Sequence, residues 1–219
     1  MTKKYAVILS GCGHFDGAEI RESVLTFLAL DTHGAEYEVF APNQDQFHTL
    51  NHLSGDESST NRNILEESGR IARGNIKPLS EMNSKDFSGL LIPGGFGVAK
   101  NFCTFAFKGS EGEASPAIQT TIKDFYDSKK PIGAICIAPA LLSLVLGENG
   151  IEVTIGNDEA TAKEVEKTGA KHIICGKDEF HLDQKNKIAT TPAYMYDDNK
   201  LHLVQKGISA VVENVINWS

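Results

Sequence analysis

Pro131-Ile-Gly-Ala-Ile-Cys136-Ile-Ala-Pro139 is the stretch of sequence that decides the fold prediction. The apolar run from Pro131 to Ile135 is typical of a buried strand, and Ala138 to Leu146 predicts a helix directly after it. A residue at such a strand-to-helix turn projects its side chain at the carboxyl edge of a parallel sheet, where open α/β folds place their sites. The stretch therefore predicts an α/β fold with an elbow at Cys136.

The N-terminal part of the chain predicts the sheet to which this elbow belongs. Residues 4–10 indicate a buried strand, residues 17–30 carry apolar side chains at helical spacing, and residues 36–41 indicate a second strand. A strand-helix-strand opening favours a parallel sheet with helices on both faces. We therefore predict a three-layer α/β/α sandwich with a mostly parallel central sheet.

The domain organisation follows from length and composition. The chain has 219 residues, of which 41% are hydrophobic, so one sizeable core is expected. No repeat, low-complexity tract or linker interrupts it. We predict a single domain over residues 1–219, with surface insertions near residues 43–75 and 101–115.

Charge and hydropathy exclude several classes of function. A formal net charge of −8 gives no general attraction to nucleic acid or anionic lipid. The longest apolar stretch, residues 131–146, contains Pro139 and is shorter than the ~18 residues that a membrane span needs. The apolar run at residues 5–9 is too short for the core of a signal peptide. We expect no nucleic-acid partner and no membrane association.

The four cysteines indicate a reducing setting. No two of them share a C-x-x-C spacing, so we expect neither a structural zinc site nor a disulfide framework. The sequence therefore predicts a cytoplasmic protein without a metal ion. The cysteines are Cys12, Cys103, Cys136 and Cys175.

The predicted elbow has a functional and a structural interpretation. The N-terminus of the following helix stabilises a thiolate at Cys136 and lowers its pKa, and the backbone N–H of Ile137 points at any oxyanion beside the sulfur. An inert cysteine in an apolar stretch explains the same window equally well.

Two further features favour the functional interpretation. Residues 93–97, Pro-Gly-Gly-Phe-Gly, end a strand, and glycines there let backbone N–H groups turn toward a ligand. Glu19 lies in the first turn of the first helix, near the carboxyl edge of the central strands. Taken singly, an ordinary turn and an acid interacting with the helix dipole explain them better. Taken with Cys136, they indicate a site.

The motifs of this chain resemble the class I glutamine amidotransferase-like superfamily. Its PfpI-type proteases and Parkinson-disease deglycase proteins are similar to this chain, and the ElbB-like (enhancing lycopene biosynthesis protein 2) subfamily is more similar still. The resemblance implies a flavodoxin-like fold with a nucleophile elbow. The segments that carry it are Ser10-Gly-Cys-Gly13, Asp16-Gly-Ala-Glu19-Ile20, Arg70-Ile-Ala-Arg-Gly74, Pro93-Gly-Gly-Phe-Gly97, Ala99-Lys-Asn101, Cys136-Ile-Ala-Pro-Ala140, Thr154-Ile-Gly156 and Thr190-Thr-Pro-Ala-Tyr194.

The resemblance also implies roles for individual residues. Cys136 is similar to the nucleophile, Glu19 to the acid that touches its sulfur, and the N–H groups of Gly95 and Ile137 to oxyanion-hole donors. Ile137 stands where glutamine amidotransferases carry a His beside the Cys, which argues against amide hydrolysis. Around these residues, Gly94, Asn101 and Tyr194 are candidates for substrate binding, although a solvated loop explains Asn101 better.

The resemblance, together with these features, implies a glyoxalase-type enzyme that needs neither glutathione nor a cofactor. It is expected to convert methylglyoxal or glyoxal to lactate or glycolate through a Cys136–Glu19 pair, with a small aldehyde as substrate and, by resemblance, a homodimer as its assembly. Two alternatives stay open. The first is a redox-sensing or regulatory protein with little turnover, because an exposed thiol of low pKa oxidises readily. The second is a scaffold linked to isoprenoid biosynthesis.

Overall fold

The computed structural model describes residues 3–219 and shows an α/β sandwich. Met1 and Thr2, which the predicted domain includes, lie outside the described residues. The strands are β1 (Lys4–Ile8), β2 (Glu36–Ala41), β3 (Thr49–Leu50), β4 (Glu57–Ser58), β5 (Lys77–Pro78), β6 (Gly89–Ile92), β7 (Ile132–Ile135), β8 (Glu152–Val153), β9 (Lys171–His172), β10 (His181–Asp183) and β11 (Ile188–Thr191). The α-helices are α1 (Ile20–Thr32), α2 (Ile64–Ile71), α3 (Phe105–Lys108), α4 (Pro116–Asp127), α5 (Ala138–Leu146), α6 (Glu159–Lys167) and α7 (Leu201–Trp218).

The central sheet has seven strands in the order β10-β11-β7-β6-β1-β2-β5. All neighbours are parallel except β10 and β11, which pair antiparallel. The strands β1, β6 and β7 lie at its centre, and the four residues of each of β6 and β7 are all buried. The carboxyl ends of these three strands therefore meet at one edge of the sheet.

The helices cover both faces of this sheet. The connection from β1 to β2 runs in one direction across the sheet and that from β6 to β7 in the other, so right-handed crossovers place α1 and α4 on opposite faces. The long helix α7 packs against α1 and against β7 and β11. The predicted fold class, a mostly parallel three-layer α/β sandwich, is what the structure shows.

The segment at residues 43–63 lies against the loop that follows β1, where Leu50 N donates to Asp16 Oδ2 at 2.7 Å. It contains the β3–β4 hairpin and ends at Asn63, whose side chain accepts hydrogen bonds from Leu65 N and Glu66 N and thereby caps α2. The segment at residues 98–115 begins with a π-helical turn, Val98–Phe102, and continues through α3. These two segments approach each other where the ring of Phe47 lies 4.4 Å from the ring of Phe107.

Candidate active site

Cys136 occupies a strained elbow between β7 and α5. Its φ is +61°, a left-handed conformation that costs energy for a residue with a Cβ. Its N–H donates to Thr191 O at 2.9 Å, which anchors the elbow to the neighbouring strand β11. The side chain is 7% exposed. Backbone strain that the surrounding sheet holds in place is typical of residues in active sites.

The glycine turn after β6 lies directly against this elbow. A Cβ on Gly94 would stand 2.4 Å from Cys136 Cβ, and a Cβ on Gly95 would stand 2.4 Å from Glu19 N. Gly95 also has a φ of +97°, which few other residues tolerate. The N–H groups of Gly95 and Ile137 both interact with the Cys136 sulfur. The structure thus brings together the three residues that the sequence assigned to nucleophile and oxyanion hole.

The carboxyl group that lies against the Cys136 thiol belongs to Glu22. Glu22 is fully buried in α1, where Oε2 accepts from Gly94 N at 3.0 Å and Oε1 from Tyr194 N at 3.2 Å. Burial, and to a smaller extent the negative charge of Glu19, raise the pKa of Glu22 to about 8. A carboxyl group with this pKa binds and releases a proton near neutral pH.

Glu19, which the sequence placed at the sulfur, lies one helical turn earlier. It is the N-cap of α1, and its Oε2 accepts from Glu22 N at 2.6 Å. Its own N–H donates to Gly94 O at 2.9 Å, and its side chain reaches the cavity beside Cys136. Burial raises the pKa of Glu19 as well. The predicted sulfur contact is therefore corrected from Glu19 to Glu22, since only the second acid points between the sheet and the helix.

A sequence signal for Glu22 exists. Glu22, Leu25 and Ala29 follow one another at helical spacing, and all three are buried on the face of α1 that meets the protein interior. An ionisable residue at a core position of an amphipathic helix needs a partner or a function.

The electrostatics of Cys136 differ from the sequence expectation. Burial raises the pKa of its thiol well above the usual value, and the Glu22 carboxylate adds to the effect. The N–H groups of Gly95 and Ile137 act in the opposite direction and lower it. The helix N-terminus was predicted to lower the thiol pKa, but desolvation outweighs it.

A cavity of about 600 Å³ opens over the sulfur. Tyr194 lies in its wall, and the Tyr194 hydroxyl accepts from Arg21 Nη1 at 3.1 Å. Asn101 lies elsewhere: its amide nitrogen donates to Ser10 O and Asp16 O, and its oxygen accepts from Phe47 N. With these three bonds, Asn101 joins the loop after β1 to the segment at residues 43–63, which is a structural role.

Several wall residues of this cavity were missed by the sequence reasoning, because they come from separate loops and from the first turns of α1 and α6, which only the fold brings together. His14 is one of them. Burial, and then the neighbouring His52, lower the pKa of His14, so the ring of His14 is uncharged near neutral pH. The missed residues are His14, Ile20, Arg21, Phe96, Thr161, Met195 and Asp197.

The pattern of the DJ-1/PfpI family matches residues 14–173, which is more than half of the chain. The chain belongs to the DJ-1/PfpI family. The predicted superfamily, class I glutamine amidotransferase-like, is thereby confirmed, together with its flavodoxin-like fold. The matched range contains both Glu22 and Cys136.

Two curated relatives are similar to this chain over nearly its whole length. The chain is 41% identical to the ES1 protein homolog, mitochondrial, of Rattus norvegicus, over 97% of this chain and 83% of that protein. It is 40% identical to the glutamine amidotransferase-like class 1 domain-containing protein 3, mitochondrial, of Homo sapiens, over 97% of this chain and 82% of that protein.

Two solved structures share the fold. An isoprenoid biosynthesis protein with an amidotransferase-like domain from Ehrlichia chaffeensis superposes with a TM-score of 0.91 and 38% identity, over 99% of each chain. Glyoxalase III from Candida albicans superposes with a TM-score of 0.61 and 17% identity, over 98% of this chain and 96% of that one. At that identity the second likeness concerns the fold alone.

The relatives contradict the predicted location. Both the rat and the human protein are named as mitochondrial, so the prediction of a cytoplasmic protein is wrong. Its basis was a reducing setting, and free cysteines do not distinguish one reducing compartment from another. Within residues 3–219, no helix combines the length and the apolar character that crossing a bilayer requires.

Proposed function

We propose that this DJ-1/PfpI protein is a glyoxalase-type enzyme that converts methylglyoxal or glyoxal to lactate or glycolate without glutathione. The observation that carries the proposal is the placement of Cys136. A strained elbow holds its thiol against a buried carboxyl group of raised pKa, beside two N–H donors and at the floor of a cavity. Glu22 takes the role that the sequence gave to Glu19.

The first step forms a hemithioacetal. The ionised Glu22 carboxyl accepts the proton of the Cys136 thiol as the sulfur adds to the aldehyde carbon. The N–H groups of Gly95 and Ile137 stabilise the negative charge that develops on the former carbonyl oxygen, which then takes the proton.

The next steps move a hydrogen between the two substrate carbons. Glu22 removes the proton from the carbon bonded to sulfur, which gives an enediol as the former ketone oxygen takes up a proton. Glu22 then returns its proton to the neighbouring carbon, and the hydroxyl group on the sulfur-bearing carbon loses its proton to become the thioester carbonyl, so that no proton is gained or lost overall. The ketone thereby becomes an alcohol and the hemithioacetal becomes a thioester, with no external oxidant. Water then hydrolyses the thioester, which releases lactate and restores the thiol. The sum is one methylglyoxal and one water giving one lactate.

The alternative of a redox sensor has less support at this site. Oxidation of cysteine proceeds from the thiolate, and it is fastest for exposed thiols of low pKa. The Cys136 side chain is buried and burial raises its pKa, which favours an enzyme that activates the thiol only when substrate is bound.

The deciding experiment measures methylglyoxal consumption and lactate formation together. We expect Cys136→Ser to abolish both and Cys12→Ser to leave both within about twofold of the wild type. Cys12 is a fitting control because it is a free, half-buried thiol that does not line the cavity. Turnover by Cys136→Ser at the wild-type rate would disprove the proposal. Oxidation of Cys136 by peroxide, without turnover of aldehyde by the wild type, would favour the redox sensor.

We propose two finer assignments beside this activity. Membership of the ElbB-like subfamily is supported by the similarity to the isoprenoid biosynthesis protein of Ehrlichia chaffeensis. For the same reason, a regulatory role in isoprenoid metabolism stays open as the alternative function.

A homodimer is supported by the outer face of α1. Ile20, Val24 and Leu28 lie there at successive turns, and 46–48% of each is exposed. Such an apolar stripe is typical of a surface that another chain covers.

A further inference from the structure

The cavity over Cys136 borders a second concavity, which we call the aromatic groove. The groove has a volume of about 510 Å³, and it shares Phe96, Ile137 and Thr161 with the cavity. The backbone N–H of Ile137 faces the sulfur, while its side chain lines both spaces. Phe96, Ile137 and Thr161 therefore form the boundary across which a molecule bonded to Cys136 would extend into the groove.

The groove is lined mainly by apolar side chains, together with the polar side chains of Lys108, Thr161 and Glu164. Its floor consists of Ala99 and Phe105, both buried, and its rim of Phe96 and Phe107, each 48% exposed. Exposed aromatic rings beside a cavity are typical of ligand sites, which are lined mainly by hydrophobic and aromatic groups.

Both segments that the sequence marked as insertions hold this rim in place. Phe107 lies on α3 in the second segment, and its ring lies 4.4 Å from Phe47 of the first. At the far end, Ser110 N and Ser110 Oγ each donate to Glu164 Oε2 at 2.8 Å, which ties the segment to α6. A preformed wall of this kind binds a chain without first having to order it.

The space is larger than a three-carbon substrate fills. Cavities of roughly 300–1,000 Å³ hold drug-sized molecules, and the cavity over Cys136 reaches about 600 Å³ without the groove. Methylglyoxal leaves most of this apolar surface uncovered.

We infer that the preferred substrates are 2-oxoaldehydes with an apolar chain, which bind with the aldehyde at Cys136 and the chain in the aromatic groove. This inference rests on the proposed function and names its substrate class. Each methylene that the groove covers is expected to raise kcat/KM about two- to fourfold, because full burial of a CH₂ is worth about 0.8 kcal/mol.

The test compares methylglyoxal, propylglyoxal and hexylglyoxal as substrates. For the wild type we expect kcat/KM to be at least tenfold higher for hexylglyoxal than for methylglyoxal. Phe107→Ala removes a wall and Ala160→Phe fills the groove, so both are expected to bring this ratio close to one. Leu53→Ala, at a side chain that is 99% exposed on the hairpin, is expected to keep the ratio. Equal kcat/KM for all three aldehydes overturns the inference and leaves the proposed function standing.

A second measurement separates chain binding from turnover. 2-Hydroxyoctanoate and lactate, the products of the longest and shortest substrates, are tested for protection of Cys136 against iodoacetamide at pH 9, read by mass spectrometry. Half-maximal protection is expected at a concentration at least tenfold lower for 2-hydroxyoctanoate, and Phe107→Ala is expected to abolish the difference. Equal protection by both overturns the inference. Chain-dependent protection without turnover of any aldehyde overturns the proposed function but supports the groove as the binding site for apolar chains.

Discussion

The carboxyl group of Glu22 and the thiol of Cys136 share one buried space between α1 and the end of β7. The ionised Glu22 carboxyl raises the pKa of the Cys136 thiol, because a second negative charge beside it is unfavourable, whereas the hydrogen bond from the neutral thiol lowers the pKa of Glu22. The two groups therefore titrate as a pair, and the singly protonated pair is the form that contains both a nucleophile and an acid.

The first prediction separates the two acids of α1. Glu22→Gln is expected to lower kcat for aldehyde conversion by about 100-fold or more, because positioned acid–base groups contribute about that much. Glu19→Gln keeps an oxygen that can accept from Glu22 N, so a loss of less than about fivefold is expected. Steady-state kinetics of both variants measure the two losses. A larger loss in Glu19→Gln than in Glu22→Gln would show that Glu19 is the acid–base group that acts on Cys136, as the sequence predicted.

The second prediction concerns the pH dependence of the rate. Burial raises the pKa of Glu22 to about 8, so below that pH the pair carries two protons and lacks a base. We expect kcat/KM to rise about tenfold per pH unit up to about pH 8 and then to level off. A profile from pH 6 to 9 measures this. A rate that does not change over this range would contradict the role of Glu22.

The third prediction is that Glu22 makes the fold less stable as pH rises. Its pKa is higher in the folded protein than the usual 4.5, so between these two values the folded state holds a proton that the unfolded chain has released. The free energy of unfolding is expected to fall over this range by up to about 1.4 kcal/mol per pH unit. Urea unfolding at pH 5.5, 6.5 and 7.5 measures the slope.

Glu22→Gln serves as the reference for that slope, because His14, His48 and His172 also titrate in the range and remain unchanged in the variant. The difference between wild type and variant isolates Glu22. The same slope in both proteins would show that Glu22 is ionised in the folded state throughout.

The fold was largely predictable because its signals are local. Residues 36–41 were predicted as a strand from their apolar side chains and the Pro42 that follows, and β2 has those bounds. The elbow at Cys136 was predicted in the same way. The strands β3 and β4 were not predicted, because each has two residues and exists only through its pairing with the other.

The site was predictable only in part, for a physical reason. Cys136, Gly95 and Ile137 lie at sharp turns, which the sequence marks with glycine and with an abrupt change of pattern. The choice between Glu19 and Glu22 depends on the rotation of α1 about its axis, which its packing on the sheet sets. The direction of the Cys136 pKa shift depends on burial by distant segments, and no local pattern carries that information.

The fourth prediction tests how tightly the glycine turn fits the elbow. A Cβ on Gly94 would stand 2.4 Å from Cys136 Cβ and 2.6 Å from Glu22 Oε2. Gly94→Ala is therefore expected to lower the free energy of unfolding by about 1–3 kcal/mol, as overpacking does, and to reduce turnover. Gly69→Ala is the matched control: it lies in α2, where the new Cβ meets only Ile76 Cγ2 at 3.7 Å, and a gain of about 0.5–1 kcal/mol is expected. Urea unfolding of both variants measures the contrast, and equal stability of the two would contradict it.

The fifth prediction tests the proposed homodimer through the exposed stripe of α1. Val24→Asp places a charge at the centre of that stripe, between Ile20 and Leu28, and burying it against an apolar partner surface would be costly. Sedimentation is expected to show a dimer for the wild type and a monomer for Val24→Asp. At a concentration low enough for both proteins to be monomeric, their melting temperatures are expected to be equal. Ile174→Asp, at a side chain that is 75% exposed in the loop after β9, is expected to remain dimeric.

Because Ile20 also lines the cavity over Cys136, a dimer formed through this stripe would bring the partner close to the mouth of the site. A monomeric wild type at micromolar concentration, or a dimer that withstands Val24→Asp, would show that the stripe is not the interface.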